Sequence, residues 1–94
     1  ATVYLYTDYR VPMEALRQEF ERILEETPLW DKQAKALQVT DIKNDMVEIR
    51  LLFSAPDAGT AFNLRVHVRE QMILFLQEKY PESLPVTRVL LDRD

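Results

Sequence analysis

The side chains best suited to catalysis in this sequence are a single histidine, His67, and two serines, Ser54 and Ser83. A Ser–His–acid triad needs the nucleophile, the imidazole and an orienting acid within hydrogen-bond reach of one another. His67 falls on the outward face of a long predicted helix, and the two serines lie at opposite ends of that helix. The spacing therefore predicts a solvated histidine and no triad.

Metal and acid–base sites are not expected either. A metal site needs several converging ligands, but Glu70 is the only carboxylate near His67 at helical spacing, and the chain has no cysteine. Adjacent carboxylates such as Glu25 and Glu26 do not face each other on a helix. None lies on an apolar patch that would raise its pKa for acid–base work. We therefore expect no catalytic residue, no metal site and no enzyme.

Composition argues against several further classes of ligand. Gly59 is the only glycine, whereas phosphate-cradling and dinucleotide-binding loops need several glycines, so we expect no cofactor. The net charge of −4 argues against nucleic-acid and anionic-lipid partners, which need a basic surface. The longest purely apolar run, Met72 to Leu76, is much shorter than a membrane span of ~20 residues.

Two periodic patterns predict the elements that position these residues. Alternating apolar residues are typical of strands and occur in residues 2–7, 34–41 and 46–55. Apolar residues at helical spacing occur in residues 12–27 and 55–80. With a possible fourth strand over residues 86–91, the order is β-α-β-β-α-β. This order predicts one α+β domain over residues 1–94 with the ferredoxin-like split βαβ arrangement, two helices on one face of an antiparallel sheet.

The sequence also makes specific predictions about burial and helix ends at several positions. In the second strand, Leu37 and Val39 are expected to face the core. Pro56 suits the first turn of the second helix, Ser54 or Asp57 can cap it, and Pro81 is expected to end it. After Pro81 and Pro85, residues 86–94 form either a strand of this domain or a tail that leaves it and pairs with another chain.

The second helix carries more apolar surface than one core contact needs. One stripe on a helical wheel consists of Ala61, Leu64, Val68, Met72, Phe75 and Leu76. A second stripe, about a quarter turn away, consists of Phe62, Val66, Ile73 and Tyr80. The second stripe packs either within the chain, under the sheet and the neighbouring helix, or against another subunit. The subunit interpretation predicts that the second stripe is more exposed than Val68, Met72 and Leu76.

Three more aromatic residues are candidates for a subunit contact. Trp30 lies beside a turn, where it either plugs the end of the core or contacts another subunit. Tyr4 and Tyr6 lie on the open face of the predicted sheet, where RNA-recognition domains stack bases. The third strand offers Glu48, Arg50 and Leu52 there rather than aromatic residues. Cover by another subunit or by another segment therefore explains the tyrosines better than RNA does.

The amino-acid sequences of several segments resemble a known family. The segments are VYLYTDYRVPMEALRQEFERIL, TPLWD, LQVTD and EIRLLFSAPDAGTAFNLRVHVREQMILFLQEKY. They resemble the carboxy-terminal cytoplasmic domain of small-conductance mechanosensitive channels, the MscS-like family. In that family a strand leads through a short turn into a helix with an aromatic-x-Leu-Arg-like pattern. The matching positions here are Ala55, Asp57, Phe62, Leu64 and Arg65.

The resemblance implies a function that the residues alone do not show. Family members are homoheptamers in the cytoplasmic membrane that release ions and small solutes when tension opens them during hypo-osmotic shock. This segment would be a soluble part of the parent protein, on the cytoplasmic side, that walls a vestibule with portals between subunits. In some members a terminal strand from each subunit builds an axial barrel, and residues 86–91 would be that strand.

Two further interpretations remain open at the level of sequence. The chain begins within a predicted strand and without an initiator methionine, so we infer an excised piece of a longer protein, with a mature, processed protein as the alternative. The alternative function is a small-ligand-binding regulatory module of the ACT kind, which shares the topology. ACT modules bind amino acids at a glycine-containing turn near the first strand, and the corresponding TDYRVP has no glycine.

Overall fold

Five regular elements follow one another in the order β-α-β-β-α. They are β1 (Thr2–Asp8), α1 (Met13–Glu26), β2 (Lys35–Lys43), β3 (Met46–Phe53) and α2 (Ala58–Lys79), and a 3₁₀ turn (Pro81–Ser83) comes after α2. These bounds come from a computed structural model that describes residues 1–83. The possible strand over residues 86–91 lies outside the described residues.

The three strands form one antiparallel sheet in the order β1-β3-β2. The central strand β3 alternates as predicted, because every second residue is buried against the helices: Val47, Ile49, Leu51 and Phe53. Both helices pack on that face, so no element within residues 1–83 covers the other face of the sheet, which is called the open face below. The predicted α+β, ferredoxin-like arrangement is therefore confirmed for the described residues.

The two helices lie next to each other on the buried face of the sheet, α1 near β2 and α2 near β1. On α1, the Arg17 guanidinium donates to the carbonyl oxygen of Leu37, and Glu21 pairs with Lys35, so α1 lies beside β2. The second helix packs against β1 and against α1. Within the core, the ring centroids of Phe20 on α1 and Phe53 on β3 are 6.0 Å apart.

A two-residue turn joins β2 to β3. Asn44 and Asp45 both have positive φ angles, 53° and 66°, which is the signature of a type I′ hairpin turn. A β-bulge between Val39 and Asp41 shifts the register of β2 against β3. The twist of a type I′ turn matches that of the paired strands, and this turn sets the pairing of Lys43 with Met46.

The prediction that Val39 faces the core is wrong. Leu37 is buried as predicted, but the side chain of Val39 is 45% exposed. The reason is that β2 is an edge strand, which α1 contacts near Lys35 and Leu37. Beyond that point the strand runs past the helix, and the bulge follows immediately after Val39.

The second helix begins later than predicted. Asp57 is its N-cap, and the Asp57 Oδ1 atom accepts a hydrogen bond from the backbone N–H of Thr60 at 2.7 Å. Pro56 precedes the cap instead of occupying the first turn. Ser54 does not cap the helix, because its hydroxyl accepts a hydrogen bond from the backbone N–H of Ala34 at 2.8 Å. The helix ends at Lys79, next to Pro81 as predicted.

Candidate functional site

The open face of the sheet carries an aromatic and polar cluster. The side chains of Tyr4 and Tyr6 are 48% and 50% exposed, and they lie opposite Arg50 and Glu48 of β3. The Tyr6 hydroxyl donates to Glu48 Oε2 at 3.0 Å, and the Thr40 hydroxyl donates to Glu48 Oε1 at 2.8 Å. Both carboxylate oxygens of Glu48 are therefore engaged within the sheet, which fixes the Tyr6 ring at its outer end.

Charged and polar side chains on this face interact with one another. The hydrogen bond to Glu48 raises the pKa of Tyr6 above its ordinary value, and partial burial and the charge of Glu48 add to this effect. Arg50 donates to the side-chain oxygen of Gln38, and within residues 1–83 its buried Nε atom has no hydrogen-bond partner. The acidic side chains Glu48 and Asp41 are balanced by the basic side chains Arg50 and Lys43, so the face favours neither anions nor cations.

The second stripe of α2 is more exposed than Val68, Met72 and Leu76, as predicted. Val68, Met72 and Leu76 are fully buried, whereas Phe62 is 58% exposed and Val66 and Ile73 are half-buried. These exposures leave apolar surface for a partner. That the partner is another subunit stays a prediction.

Tyr80 is also half-buried but does not continue the stripe. It is the C-cap of α2, with φ −138° and ψ 54°, so its side chain no longer follows the helical spacing. Its ring lies 5.8 Å from the ring of Phe75 in an edge-on contact. Together with Phe75 it lines a shallow groove between the two helices, next to Ala15 and Gln18 of α1. Tyr80 therefore belongs to the helix–helix contact.

Trp30 plugs the end of the core. The side chain is buried, and its Nε1–H donates to the carbonyl oxygen of Ala34 at 3.1 Å. The Lys35 ammonium lies 5.5 Å from the ring centroid on the outer side. The core interpretation of this residue is confirmed, and little of the ring is left for contact with another subunit.

The residues considered for catalysis lie apart. Ser54 lies between β3 and α2, and Ser83 is buried in the 3₁₀ turn beyond the other end of α2. His67 is half-buried in the middle of the helix. Among residues 1–83 no group of three or more metal-ligating side chains converges.

One cluster of contacts, centred on Arg10, was not predicted from the sequence. Arg10, in the connection after β1, donates from its backbone N–H to Asp8 Oδ1 at 3.0 Å and from Nε to Asp8 Oδ2 at 2.8 Å. Its Nη2 also donates to the carbonyl oxygen of Glu82 at 3.1 Å. An arginine two residues after an aspartate is a local signal for the first two contacts, but the sequence holds no signal for the third, which spans most of the chain.

The contacts with Arg10 change the pKa of Asp8. Burial acts to raise the pKa of Asp8, but the hydrogen bonds from Arg10 outweigh burial, and Ser83 lowers the pKa as well. The net result is a pKa below the ordinary value for aspartate. The end of β1 and the 3₁₀ turn are therefore held together by a charged contact.

Comparison with known proteins adds no relative. The chain matches no family model, no curated protein and no solved structure. Among the described residues, none of the helices combines the length and the apolar character that crossing a membrane requires. The function is therefore argued from the surfaces described above.

Proposed function

We propose that this chain is the vestibule-forming cytoplasmic domain of a mechanosensitive channel of the MscS-like family. The parent protein would release ions and small solutes under membrane tension during hypo-osmotic shock, and this domain would serve assembly and filtering without catalysis. Two considerations support the proposal. One is the resemblance that the sequence segments quoted above suggest, and the other is the aromatic and apolar surface that residues 1–83 leave uncovered on two sides.

The observation that carries the proposal is the open sheet face with Tyr4 and Tyr6. Both rings are half exposed and project side by side from β1, and Glu48 holds Tyr6 in place. Tyrosine is enriched in protein–protein interfaces, because its rigid ring buries a large area at low entropic cost. A tyrosine-bearing surface with balanced charges suits contact with protein better than contact with a charged ligand.

The placement of the exposed surfaces favours a ring over a two-fold dimer. The tyrosines lie on the open side of the sheet, whereas Phe62 and Leu74 are exposed on α2, which covers the opposite side. A two-fold contact buries the same patch on both partners, so one such contact covers only one of these surfaces. A head-to-tail contact joins two different surfaces and closes into a ring when the rotation allows it. A homo-oligomeric ring, heptameric by the family resemblance, fits this arrangement.

The proposal is tested on the parent membrane protein purified in detergent. Changing Tyr4→Ala together with Tyr6→Ala removes the aromatic surface of the sheet, so we expect a smaller assembled fraction by light scattering and poorer cell survival after hypo-osmotic shock. Tyr9→Ala is the matched control, because Tyr9 is exposed in the loop beyond the sheet. Circular dichroism of the isolated double variant checks its fold.

The outcomes separate the channel from the regulatory module. A parent protein that is monomeric and has no membrane-spanning segments overturns the channel proposal. Calorimetry of the chain against a panel of amino acids addresses the ACT-like alternative, since saturable heat with one amino acid is the result expected of such a module.

A further inference from the structure

The outer side of α2 carries two charged side chains that form no ion pair within residues 1–83. Arg69 and Glu70 are both exposed, and the ion pairs of this part of the chain involve other residues. Together with Ile73 and Leu74 they line a shallow hollow on the surface of the helix. A positive and a negative charge therefore lie side by side on apolar surface.

Helical spacing places an apolar side chain between these two charges. At about 100° per residue, Ile73 lies about 40° from Arg69 on one side and about 60° from Glu70 on the other. Phe62, which is 58% exposed, falls within about 20° of Arg69, two turns earlier. The outer side of α2 is thus an apolar ridge with a positive and a negative flank.

The open face of the sheet carries a matching pair of charges. Glu48 and Arg50 are two residues apart on β3 and point to the same face, so they are separated by about 7 Å along the strand. The guanidinium of Arg50 donates to the side-chain oxygen of Gln38, and its buried Nε–H has no acceptor within residues 1–83. Leaving a buried donor unsatisfied is costly, so this guanidinium favours the approach of a further acceptor.

We propose that the outer side of α2 from a second copy of this chain docks on the open sheet face. In this contact Arg69 of one copy lies against Glu48 of the next. Glu70 lies against Arg50. The inference rests on the proposed function, because it takes the partner to be another copy, and it assigns the two surfaces that the head-to-tail contact joins.

Aromatic and apolar side chains fill the same contact. The ridge residue Ile73 comes against the rings of Tyr4 and Tyr6, which are half exposed on the sheet. The Arg65 guanidinium lies 5.7 Å from the ring centroid of Phe62, so this part of the ridge is also aromatic and partly ordered. Docking removes these apolar atoms from water, which supplies the affinity, while the charges select the partner.

The charges also determine the orientation of the docked helix. Arg69 and Glu70 diverge across the helix axis, whereas Glu48 and Arg50 follow one another along a strand. The helix must therefore cross the strands at a steep angle. Turning the helix end for end would place Arg69 on Arg50, and like charges in contact disfavour that arrangement.

A face-to-face pairing of two sheets is the competing arrangement. It also brings Glu48 of one copy near Arg50 of the other, but it leaves Phe62 and Leu74 exposed on both partners. The contact with α2 covers both kinds of exposed surface with one interface. The two arrangements differ in whether Glu70 takes part, and this difference is the basis of the test.

Charge reversal on the parent membrane protein in detergent tests the pairing. Glu70→Arg sets two positive charges against each other, and Arg50→Glu sets two negative charges against each other. We expect each single variant to reduce the assembled fraction several-fold by light scattering, and we expect the double variant to recover most of it. The matched control is Glu78→Arg, which makes the same charge change on α2 within the groove toward α1 and should leave assembly unchanged.

Two results of this experiment overturn the pairing. A Glu70→Arg variant that assembles as well as the control shows that α2 is not the partner of the sheet. If Arg50→Glu alone then weakens assembly, the face-to-face arrangement is the one that forms. A double variant no better than the worse single variant shows that the two side chains do not meet.

A zero-length cross-link gives a second readout that does not depend on the stability of the Arg50 variant. In the variant Arg69→Lys, a carbodiimide should join the new amine to the carboxylate of Glu48, and mass spectrometry of the digest identifies the linked peptides. This link forms only between chains, because α2 and Glu48 lie on opposite sides of one sheet. Lys79, exposed at the end of α2, is the internal control. A link from position 69 to Glu48 that is absent, or no more abundant than one from Lys79, overturns the proposal.

Failure of this pairing is distinguishable from failure of the channel proposal. Loss of assembly in the variant with Tyr4→Ala and Tyr6→Ala, but not with Glu70→Arg, keeps the sheet as a subunit contact and overturns only its pairing with α2. A monomeric parent protein without membrane-spanning segments overturns both.

Discussion

At the scale of single residues, Asp57 is the side chain whose role is most clearly defined. It caps α2, and its carboxylate accepts a hydrogen bond from the backbone N–H of Thr60. This hydrogen bond is the main cause that holds the pKa of Asp57 below its ordinary value. The positive end of the helix dipole favours the same charged form. The folded state therefore prefers Asp57 ionised.

Two substitutions at Asp57 separate the effect of the helix cap on stability from the effect of the carboxylate charge. Asp57→Ala removes the hydrogen-bond acceptor and should lower the thermal midpoint at neutral pH, whereas Asp57→Asn keeps an acceptor but lacks the charge and should lie between Asp57→Ala and the unmodified protein. Because the folded pKa is lowered, the contribution of the charge is complete above the ordinary aspartate pKa and is lost as the pH falls through the lowered value. Thermal melts from pH 7 to pH 2 should therefore show the gap between Asp57→Ala and the unmodified protein shrinking below about pH 4. A gap that is constant over this range would contradict the pKa assignment.

At the scale of elements, the β2–β3 hairpin determines how the edge strand is placed. Its turn requires positive φ at two successive residues, and Asn44 and Asp45 adopt it at 53° and 66°. Both residue types tolerate this region better than most, but glycine tolerates it best at the second position of a type I′ turn. The turn therefore lacks the glycine that a type I′ turn prefers at its second position.

Replacing the second turn residue should stabilise the hairpin. Asp45→Gly relieves the left-handed backbone at a modest cost in chain entropy, so we expect a net gain of about 0.5 kcal/mol in the free energy of unfolding. Asp45→Ala should instead destabilise the protein, because alanine has neither the freedom of glycine nor the polar side chain of aspartate. Urea denaturation shows the difference as opposite shifts of the midpoint at constant slope. Shifts in the same direction would show that the positive φ is not what limits this turn.

At the scale of the whole molecule, Arg10 links two parts of the chain that are far apart in sequence. It joins the end of β1, through Asp8, to the 3₁₀ turn that follows α2, through the carbonyl of Glu82. The guanidinium side of the pair is exposed to solvent, so the pair contributes little to overall stability. Its consequence is local, because it holds the 3₁₀ turn (Pro81–Ser83) against the end of β1.

Removing Arg10 should therefore loosen the 3₁₀ turn more than the fold. Arg10→Ala should speed the hydrogen exchange of the Ser83 amide, which donates to the carbonyl oxygen of Tyr80, several-fold and leave the thermal midpoint nearly unchanged. Arg22→Ala is the matched control, since Arg22 makes comparable surface ion pairs with Glu19 and Glu26 on α1, away from this turn. An equal effect of the two substitutions on the exchange of the Ser83 amide would show that Arg10 has no special part in holding the 3₁₀ turn.

Much of the fold follows from local patterns in the sequence. The alternation in β3 and the stripe of Leu64, Val68, Met72 and Leu76 in α2 are confirmed residue by residue. Period two and period 3.6 reflect which side of an element meets apolar atoms, and that is a property of the segment itself. The order of elements then limits the architecture to few choices, among them the one observed.

The sequence by itself determined the type and order of the elements, the buried faces of β3 and α2, and the greater exposure of the second stripe. The tertiary structure decided which positions lie at an edge or an end. Val39 shares the alternation of Leu37 but runs past the cover of α1, and Tyr80 shares the spacing of the stripe but turns toward Phe75 at the helix end. The contact of Arg10 with Glu82 was likewise settled only by the fold. The physical reason is that periodicity reports the direction of a side chain relative to its own element, whereas burial also requires a neighbouring element to reach that point.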